Sequence, residues 1–415
     1  MEMNKYKLSE VLDATRGMSL SGKYYTKTGD LMRLTLGNFD YNNNCFKEDK
    51  SKDNLFFSGK VKQGFVLNKG DIITPLTEQA IGLLGSTAKI PCSGKYIQSQ
   101  DIALIKCKEG KLFPDYAFYL ISSKIIKNQL SAAAQQTKIR HTSPDAIKNC
   151  IAFIPSYNTQ QRIAKVLSDI DAKIALNKKI NKELEAMAKE LYDYWFVQFD
   201  FPGADGKPYK TSGGKMVYNK VLKREIPEGW EVKRLGEVLA DVGKQVNVSN
   251  KGNLPYTPIE QIPKKTMSFA KYLPTEDAQS SLLKYEKYNI LIGSMRVYFH
   301  RVCIAPYKGI TRTTTIVLAP KEKNDFGFLY ESLFADEFIE YATKMSNGSQ
   351  QPCLSWSNVV AKPIPYPTKE LRKLYNEKFK PIAEQVINNE LEVMHLTALR
   401  EELLPLLMNG QVSVK

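Results

Sequence analysis

A chain of 415 residues is too long for one ordinary compact domain, and 43% hydrophobic with 10% aromatic residues can fill real cores, which excludes a disordered tail and a fibre. The 59 Lys and Arg against 44 Asp and Glu leave +15 at pH 7 and point to a polyanion as partner. Six widely spaced cysteines without a C-x-x-C pair, a polar N-terminus and the absence of an apolar run near the ~20 residues of a membrane helix predict a soluble, cytoplasmic protein with reduced, mostly buried thiols.

In chain order, residues 1–157 hold short β-type runs, among them Asp71-Ile-Ile-Thr and Asp101-Ile-Ala-Leu-Ile, and one predicted helix from Pro114 to Ser131. From Thr159 to Gln198 no Gly or Pro occurs, and Ile163, Leu167, Ile170, Ile174, Ile180, Leu184, Met187, Leu191 and Trp195 recur at helical steps. This predicts a long amphipathic helix over 158–200, ~60 Å at ~1.5 Å per residue. Residues 201–227, rich in Gly, Lys and Pro, read as a linker or loose loop. Residues 228–367 repeat the mixed pattern, with runs at Asn289-Ile-Leu-Ile and Thr315-Ile-Val-Leu and a helix from Phe326 to Met345. A second long helix occupies 368–415, with Pro381 read as a kink or late start. Asn177, Asn181, Asn388 and Asn389 interrupt the two apolar stripes, either as pairs that fix register across a seam or as solvated gaps.

The two halves match each other. Leu8-Ser-Glu-Val-Leu corresponds to Leu235-Gly-Glu-Val-Leu, Gly70-Asp-Ile-Ile to Tyr288-Asn-Ile-Leu, Gln135-Gln136 to Gln350-Gln351, Ile154-Pro to Ile364-Pro, and Leu184-Glu-Ala-Met to Leu396-Thr-Ala-Leu, at an offset that falls from 227 to 210 and settles at 212. The fold class is therefore α+β: two mixed globular domains in tandem duplication, separated by two long helices whose apolar seams pack on each other or on partner helices. Thr159–Gln198 carries 7 basic and 6 acidic residues and Thr368–Met408 carries 6 and 7, so the charge surplus lies outside the helices. Polyanion binding belongs to the globules, and the helices are suited to protein contacts.

Catalytic signatures are absent from the sequence: no phosphate-binding loop, no dinucleotide turn, no H-E-x-x-H and no Asn-Pro-Pro-aromatic motif, with three scattered histidines. No metal site is expected. What remains are basic and amide side chains in short loops. Arg can pair bidentately with guanine and Gln with adenine, so Arg296, Arg301, Arg312, Gln79, Gln98, Gln100, Gln135, Gln136, Gln350 and Gln351 are candidate base readers, with Tyr298 in the same segment. Lys60, Lys62, Lys264 and Lys265 are candidate phosphate contacts.

Four segments carry a family resemblance: Ile226-Pro-Glu-Gly-Trp-Glu-Val-Lys-Arg-Leu-Gly-Glu-Val-Leu, Asn347-Gly-Ser-Gln-Gln-Pro, Ile154-Pro followed by Gln160-Gln-Arg-Ile-Ala, and Leu184-Glu-Ala-Met-Ala-Lys-Glu-Leu-Tyr-Asp-Tyr-Trp-Phe. On this duplicated layout the chain resembles the specificity subunit of type I restriction-modification systems. The first half lacks the Pro-x-Gly-Trp opening and carries Ala134-Gln-Gln-Thr-Lys, and the second helix begins Thr368-Lys-Glu-Leu-Arg in place of Gln-Gln-Arg.

The resemblance implies a non-catalytic subunit whose globules, as target recognition domains, each read half of a bipartite double-stranded DNA site. It implies that the two long helices pack as an antiparallel coiled coil, set the spacing and dock two modification subunits, with restriction subunits joining them. No cofactor is implied on this chain; S-adenosylmethionine, ATP and magnesium are implied on the partners. Tyr192, Trp195, Phe196 and Leu406 are candidate docking residues, with core packing as their other use. A second reading, a coiled-coil scaffold with globules that bind polyanions unspecifically, predicts salt-sensitive binding without sequence preference.

Overall fold

The computed structural model of the chain describes residues 2–41, 43–49, 52–78, 82–133, 140–250 and 252–414. It divides into two units, Met1–Ala172 with Thr397–Lys415, and Lys173–Leu396. Each long helix contributes to both.

Unit 1 is built on an antiparallel sheet in the order Ala88–Lys89, Ile72–Pro75, Ile102–Cys107, Leu12–Arg16. Its central strands are apolar without interruption because both faces are covered. Ile72, Ala103 and Ile105 enter a core with the helices, while Ile73, Ile102 and Leu104 enter a second core with Leu34, Phe39 and Tyr96. The strands Asn4–Lys7 and Ile151–Ile154 pair to close the unit. The predicted helix from Pro114 is two helices, Pro114–Ser122 and Lys124–Ala133, broken at Ser123, whose backbone is extended and whose Oγ donates to Leu120 O at 2.6 Å.

Unit 2 repeats this plan. Its sheet runs Leu239–Asp241, Thr315–Pro320, Ile290–Gly293, Val302–Ile304, again antiparallel throughout. Ile290 and Ile292 face one core, and Leu291, Val317 and Cys303 the other. The strands Glu231–Arg234 and Pro363–Tyr366 pair as Asn4–Lys7 and Ile151–Ile154 do. The helix pair is Phe326–Phe334 and Asp336–Lys344, broken at the extended Ala335. At the start of each copy the same glutamate caps a short turn: Lys7 N donates to Glu10 Oε2 at 2.7 Å, and Arg234 N to Glu237 Oε2 at 2.6 Å.

The long helices are Tyr157–Tyr192, continued by a wide turn over Asp193–Val197, and Lys369–Met408. Pro381 neither starts nor ends the second; the ring is exposed and the helix runs through it. Within unit 2 the helices pair antiparallel: Asn177 meets Glu392, Asn181 meets Asn389, and Ala188 O accepts from Tyr375 Oη. Asn389 Nδ2 donates to Asn181 Oδ1 at 2.7 Å, and Asn181 Nδ2 to Glu390 Oε1 at 2.9 Å, both asparagines being buried. Asn177, Asn181 and Asn389 thus join the helices, whereas Asn388 is exposed. The buried stripe of the first helix there is Leu184, Ala188, Leu191 and Trp195, and Met187 faces solvent. Within unit 1, Ile163 and Leu167 pack with Leu407 and Met408, and Arg400 Nη1 pairs with Asp171 at 2.8 Å.

Two expectations are corrected. The predicted linker is folded: Met216–Asn219 and Arg224–Pro227 form a hairpin, and Phe201 stacks on Tyr209 at 4.6 Å and on Trp230 at 5.5 Å. Its aromatic residues supply a core that its Gly and Pro content obscures. No disulfide joins the described cysteines, but Cys45, Cys92 and Cys353 are exposed and only Cys150 and Cys303 are buried. No helix among the described residues is long and apolar enough to cross a membrane, and no group of three His, Cys, Asp or Glu there is placed to hold a metal ion.

Candidate nucleic-acid interface

In unit 2 the tertiary structure gathers three sequence-distant segments at one edge of the sheet. Past the strand Ile290–Gly293, Ser294 Oγ donates to Thr314 O at 2.7 Å, Arg296 N to Pro352 O at 2.8 Å, and Leu354 N to Ser294 O at 2.9 Å. Segments 294–301, 311–314 and 347–354 are thereby fixed against one another. Arg296 and His300 both take left-handed backbone, at φ 50° and 55°, on either side of the one-turn helix Val297–Phe299. Such conformations cost a non-glycine residue ~1 kcal/mol or more each. They hold because Val297 is buried and His300 Nε2 bonds Phe334 O at 2.8 Å, and the result lifts Tyr298, 48% exposed, off the surface. Burial lowers the pKa of the His300 ring, favouring the neutral form.

Around this turn stand most of the residues predicted for unit 2. Gln350, Gln351 and Arg312 are exposed, the last ending the strand Gly309–Arg312, and Arg296 is half-buried. Lys265 N donates to His300 O at 2.9 Å and Lys264 Nζ lies 3.8 Å from the centre of the Phe299 ring, so both lysines flank the turn. Arg301 does not belong: its Nη1 donates to Ile259 O at 2.5 Å and also to Ile262 O, tying two loops together. This guanidinium is spent within the domain.

Unit 1 builds the corresponding edge differently. The strands Thr77–Glu78 and Arg140–His141 pair beside the loop that follows Tyr96–Ile97. A polar cleft of about 450 Å³ opens there, lined by Arg33, Thr35, Asp49, Gln100, Asp101 and His141 among others. Gln100 is exposed, as predicted. Gln98 is a correction: it is 1% exposed, and its amide donates to Thr15 O at 2.7 Å and Ile102 O at 3.0 Å, holding the strand Leu12–Arg16 to the loop. Lys60 and Lys62 are exposed but do not line the cleft. Gln79, Gln135 and Gln136 lie outside the described residues.

Sequence reading missed Arg33. It is buried, stacks 4.0 Å from the centre of the Tyr25 ring, and among the described residues its Nε has no hydrogen-bond partner. It sits in the two-residue strand Met32–Arg33, too short to leave a periodic signal.

A family model described as the type I restriction modification DNA specificity domain matches residues 1–186 and again 227–393. The chain belongs to this family. Among relatives, it is 28% identical over 319 residues to the type I restriction enzyme MjaIX specificity subunit of Methanocaldococcus jannaschii, covering 74% of this chain and 71% of that one. It is 23% identical over 375 residues to the HindI specificity subunit of Haemophilus influenzae, covering 76% and 81%. The fold is that of the S subunit of a type I restriction-modification system from M. genitalium, with a TM-score of 0.65 over 98% of this chain and 96% of that one at 17% identity. The chain is a specificity subunit, and its part is DNA sequence recognition by two tandem domains rather than catalysis.

The docking residues assigned to this subunit from its sequence are largely core. Trp195 and Phe196 are 3% and 2% exposed, with Phe196 4.8 Å from Tyr375 and 4.9 Å from Phe328 between ring centres. Tyr192 is half-buried, its hydroxyl 3.0 Å from Ser332 Oγ, and Leu406 is half-buried in unit 1. Packing against the globules takes the apolar surface that periodicity alone leaves free.

Proposed function

We propose that each unit of this specificity subunit reads one half of a bipartite double-stranded DNA site from the sheet edge described above. The observation that carries this is the repetition of one strand order in both units, with chemically different loops converging at the corresponding edge of each. One scaffold presenting two sets of side chains suits two unlike half-sites. In unit 2 the readers are Arg296, Arg312, Gln350 and Gln351, with Lys264 and Lys265 toward phosphates; in unit 1 they are Gln100 and Arg33. The paired helices act as the spacer and carry two modification subunits, with which restriction subunits assemble. S-adenosylmethionine, ATP and magnesium belong to those partners, and the complex works in the cytoplasm.

Co-expression with the modification subunit, followed by genome-wide mapping of methylated adenine, tests this. A split motif is expected, and replacing residues 1–157 with those of a relative should change one half of it alone. Salt-sensitive binding without a preferred sequence would instead favour the scaffold reading.

A further inference from the structure

Unit 2 holds a cleft of about 680 Å³ bounded by the end of the first long helix, the helices Phe326–Phe334 and Asp336–Lys344, and the strand Pro363–Tyr366. Tyr192, Phe196, Phe328 and Phe334 give it aromatic walls. Most of its charged groups are already matched: Lys189 with Asp193, Lys362 with Glu337 at 2.9 Å, and Lys265 with Asp336 at 4.0 Å, while Arg224 adds attraction to Glu337. His300 also lines it and bonds Phe334 O.

Glu331 is the exception. It is 3% exposed, lines the cleft, and among the described residues its carboxyl has no hydrogen-bond or ion-pair partner. Burial, reinforced by the negative charges of Asp193 and Glu185 and opposed by the attraction of Lys189, pushes this carboxyl up to about 8. Buried carboxyl groups are normally paired, so a cavity that leaves one bare is shaped for a cation to arrive from outside. Beside it the surface is apolar: Val197, which lines the cleft, is 51% exposed, and the hairpin that contributes Leu222 and Arg224 also presents Tyr218 at 61% and Val221 at 64%. Exposed apolar residues beside a charged recess are features of a protein-facing surface rather than of a small-ion site.

We infer that this cleft is the socket for a lysine or arginine side chain of a protein partner, its cationic head against Glu331 and its stem along Tyr192, Phe196 and Phe328. Aromatic faces and a buried carboxylate both favour a cation on an apolar stem. The inference rests on the reading that the subunit assembles with a modification subunit, and it names where on unit 2 that assembly is anchored. Glu331 is protonated in the empty cleft at neutral pH and ionises when the cation enters, so docking releases a proton to the buffer.

The test is calorimetric titration of the full chain with its co-expressed and separately purified modification subunit at pH 7, in two buffers of different ionisation enthalpy. Wild-type protein should bind with buffer-dependent heat. E331Q, which keeps the shape of the protonated acid but cannot ionise, should bind at least tenfold more weakly and lose the buffer dependence, while retaining wild-type or higher thermal stability. E109Q, at an exposed glutamate of unit 1 that does not line this cleft, should bind as wild type does. If E331Q matches wild type in affinity and in buffer dependence, the socket is overturned and the assembly reading stands. If wild-type chain forms no complex, the assembly reading fails and the socket with it.

Discussion

Gln98 and Gln100 stand two residues apart, are chemically identical, and have opposite fates. Gln98 has its amide between Thr15 O and Ile102 O inside unit 1, whereas Gln100 faces the polar cleft. Gln98→Leu should therefore destabilise the protein by ~1–3 kcal/mol, the cost of stranding buried carbonyls, measured by urea denaturation. Gln100→Ala should leave stability unchanged and alter sequence preference in one half-site. The same division separates Arg301 from Arg312. Arg312→Ala is expected to relax discrimination at one base position by ~1–3 kcal/mol, while Lys264→Ala should weaken all sequences alike and reduce the dependence of log K on log salt by about one. Binding curves on specific and scrambled duplexes at several salt concentrations distinguish the two.

Glu331 also predicts a pH dependence. Its folded pKa, about 8, lies above the ordinary value of 4.5, so the folded state holds the proton more tightly than the unfolded chain. Its contribution to stability is fully present below pH ~4.5 and is lost as pH rises toward ~8. Glu185, pushed up to about 7 by burial despite accepting a bond from Met267 N at 2.7 Å, acts in the same direction. E331Q should accordingly be more stable than wild type at pH 8, by an amount on the order of a few kcal/mol, with the difference vanishing near pH 4. Equal unfolding midpoints at both pH values would contradict this.

At the scale of elements, each long helix is tied to its globule by one buried side chain at the same place in the repeat. Gln160 accepts from Phe113 N at 2.8 Å through Oε1 and donates through Nε2 to Pro155 O at 3.0 Å and Lys111 O at 3.1 Å. At the equivalent position Arg372 donates through Nε to Pro367 O at 3.0 Å and through Nη1 to the buried carboxylate of Asp325. Both locks join the start of a long helix to the start of the globule's helix pair. The chemistry differs, and so should the cost of losing it. Arg372→Leu leaves an uncompensated buried carboxylate and should cost ~3–5 kcal/mol, whereas Gln160→Leu leaves only neutral groups unpaired and should cost ~1–3 kcal/mol; chemical denaturation of the two variants compares them. The departure of Thr368-Lys-Glu-Leu-Arg from the Gln-Gln-Arg pattern is thus a change of lock, made together with Asp325. Sequence reading registered the departure but had no means of linking it to a residue 47 positions upstream.

Helix and strand placement was legible where burial is simple. Ile290-Leu-Ile-Gly and Ile72-Ile-Thr-Pro are buried on both faces and read as uninterrupted apolar runs. The breaks at Ser123 and Ala335 were not legible, since neither is Gly or Pro and the turn is imposed by packing of the paired helices. The asparagine contacts were half legible: the interruptions in the stripes were plain, and their pairing depended on which residues face across the seam.

For the whole molecule, duplication is the organising fact, and it shows in both sequence offset and strand order. Exchange of residues 1–157 is the experiment at this scale, because a modular scaffold predicts that one half of the target changes while the other half is retained. The candidate site divides less evenly. That bases are read by Arg and Gln in short loops was legible from residue type and charge. Which Arg and which Gln are free to read was not, because a side chain's availability depends on the carbonyls that the rest of the chain brings within its reach.

By itself, then, the sequence determined two basic α+β globules and two neutral helices, which follow from composition, periodicity and self-similarity along the chain, and its motifs carried the resemblance to a DNA-recognition family. Only the tertiary structure decided that residues 201–227 fold, that Trp195 and Phe196 are core, that Gln98 and Arg301 are structural, and that Glu331 stands bare in a cleft. Those outcomes depend on contacts between residues far apart in sequence, and burial and hydrogen-bond satisfaction are properties of such contacts rather than of any local stretch.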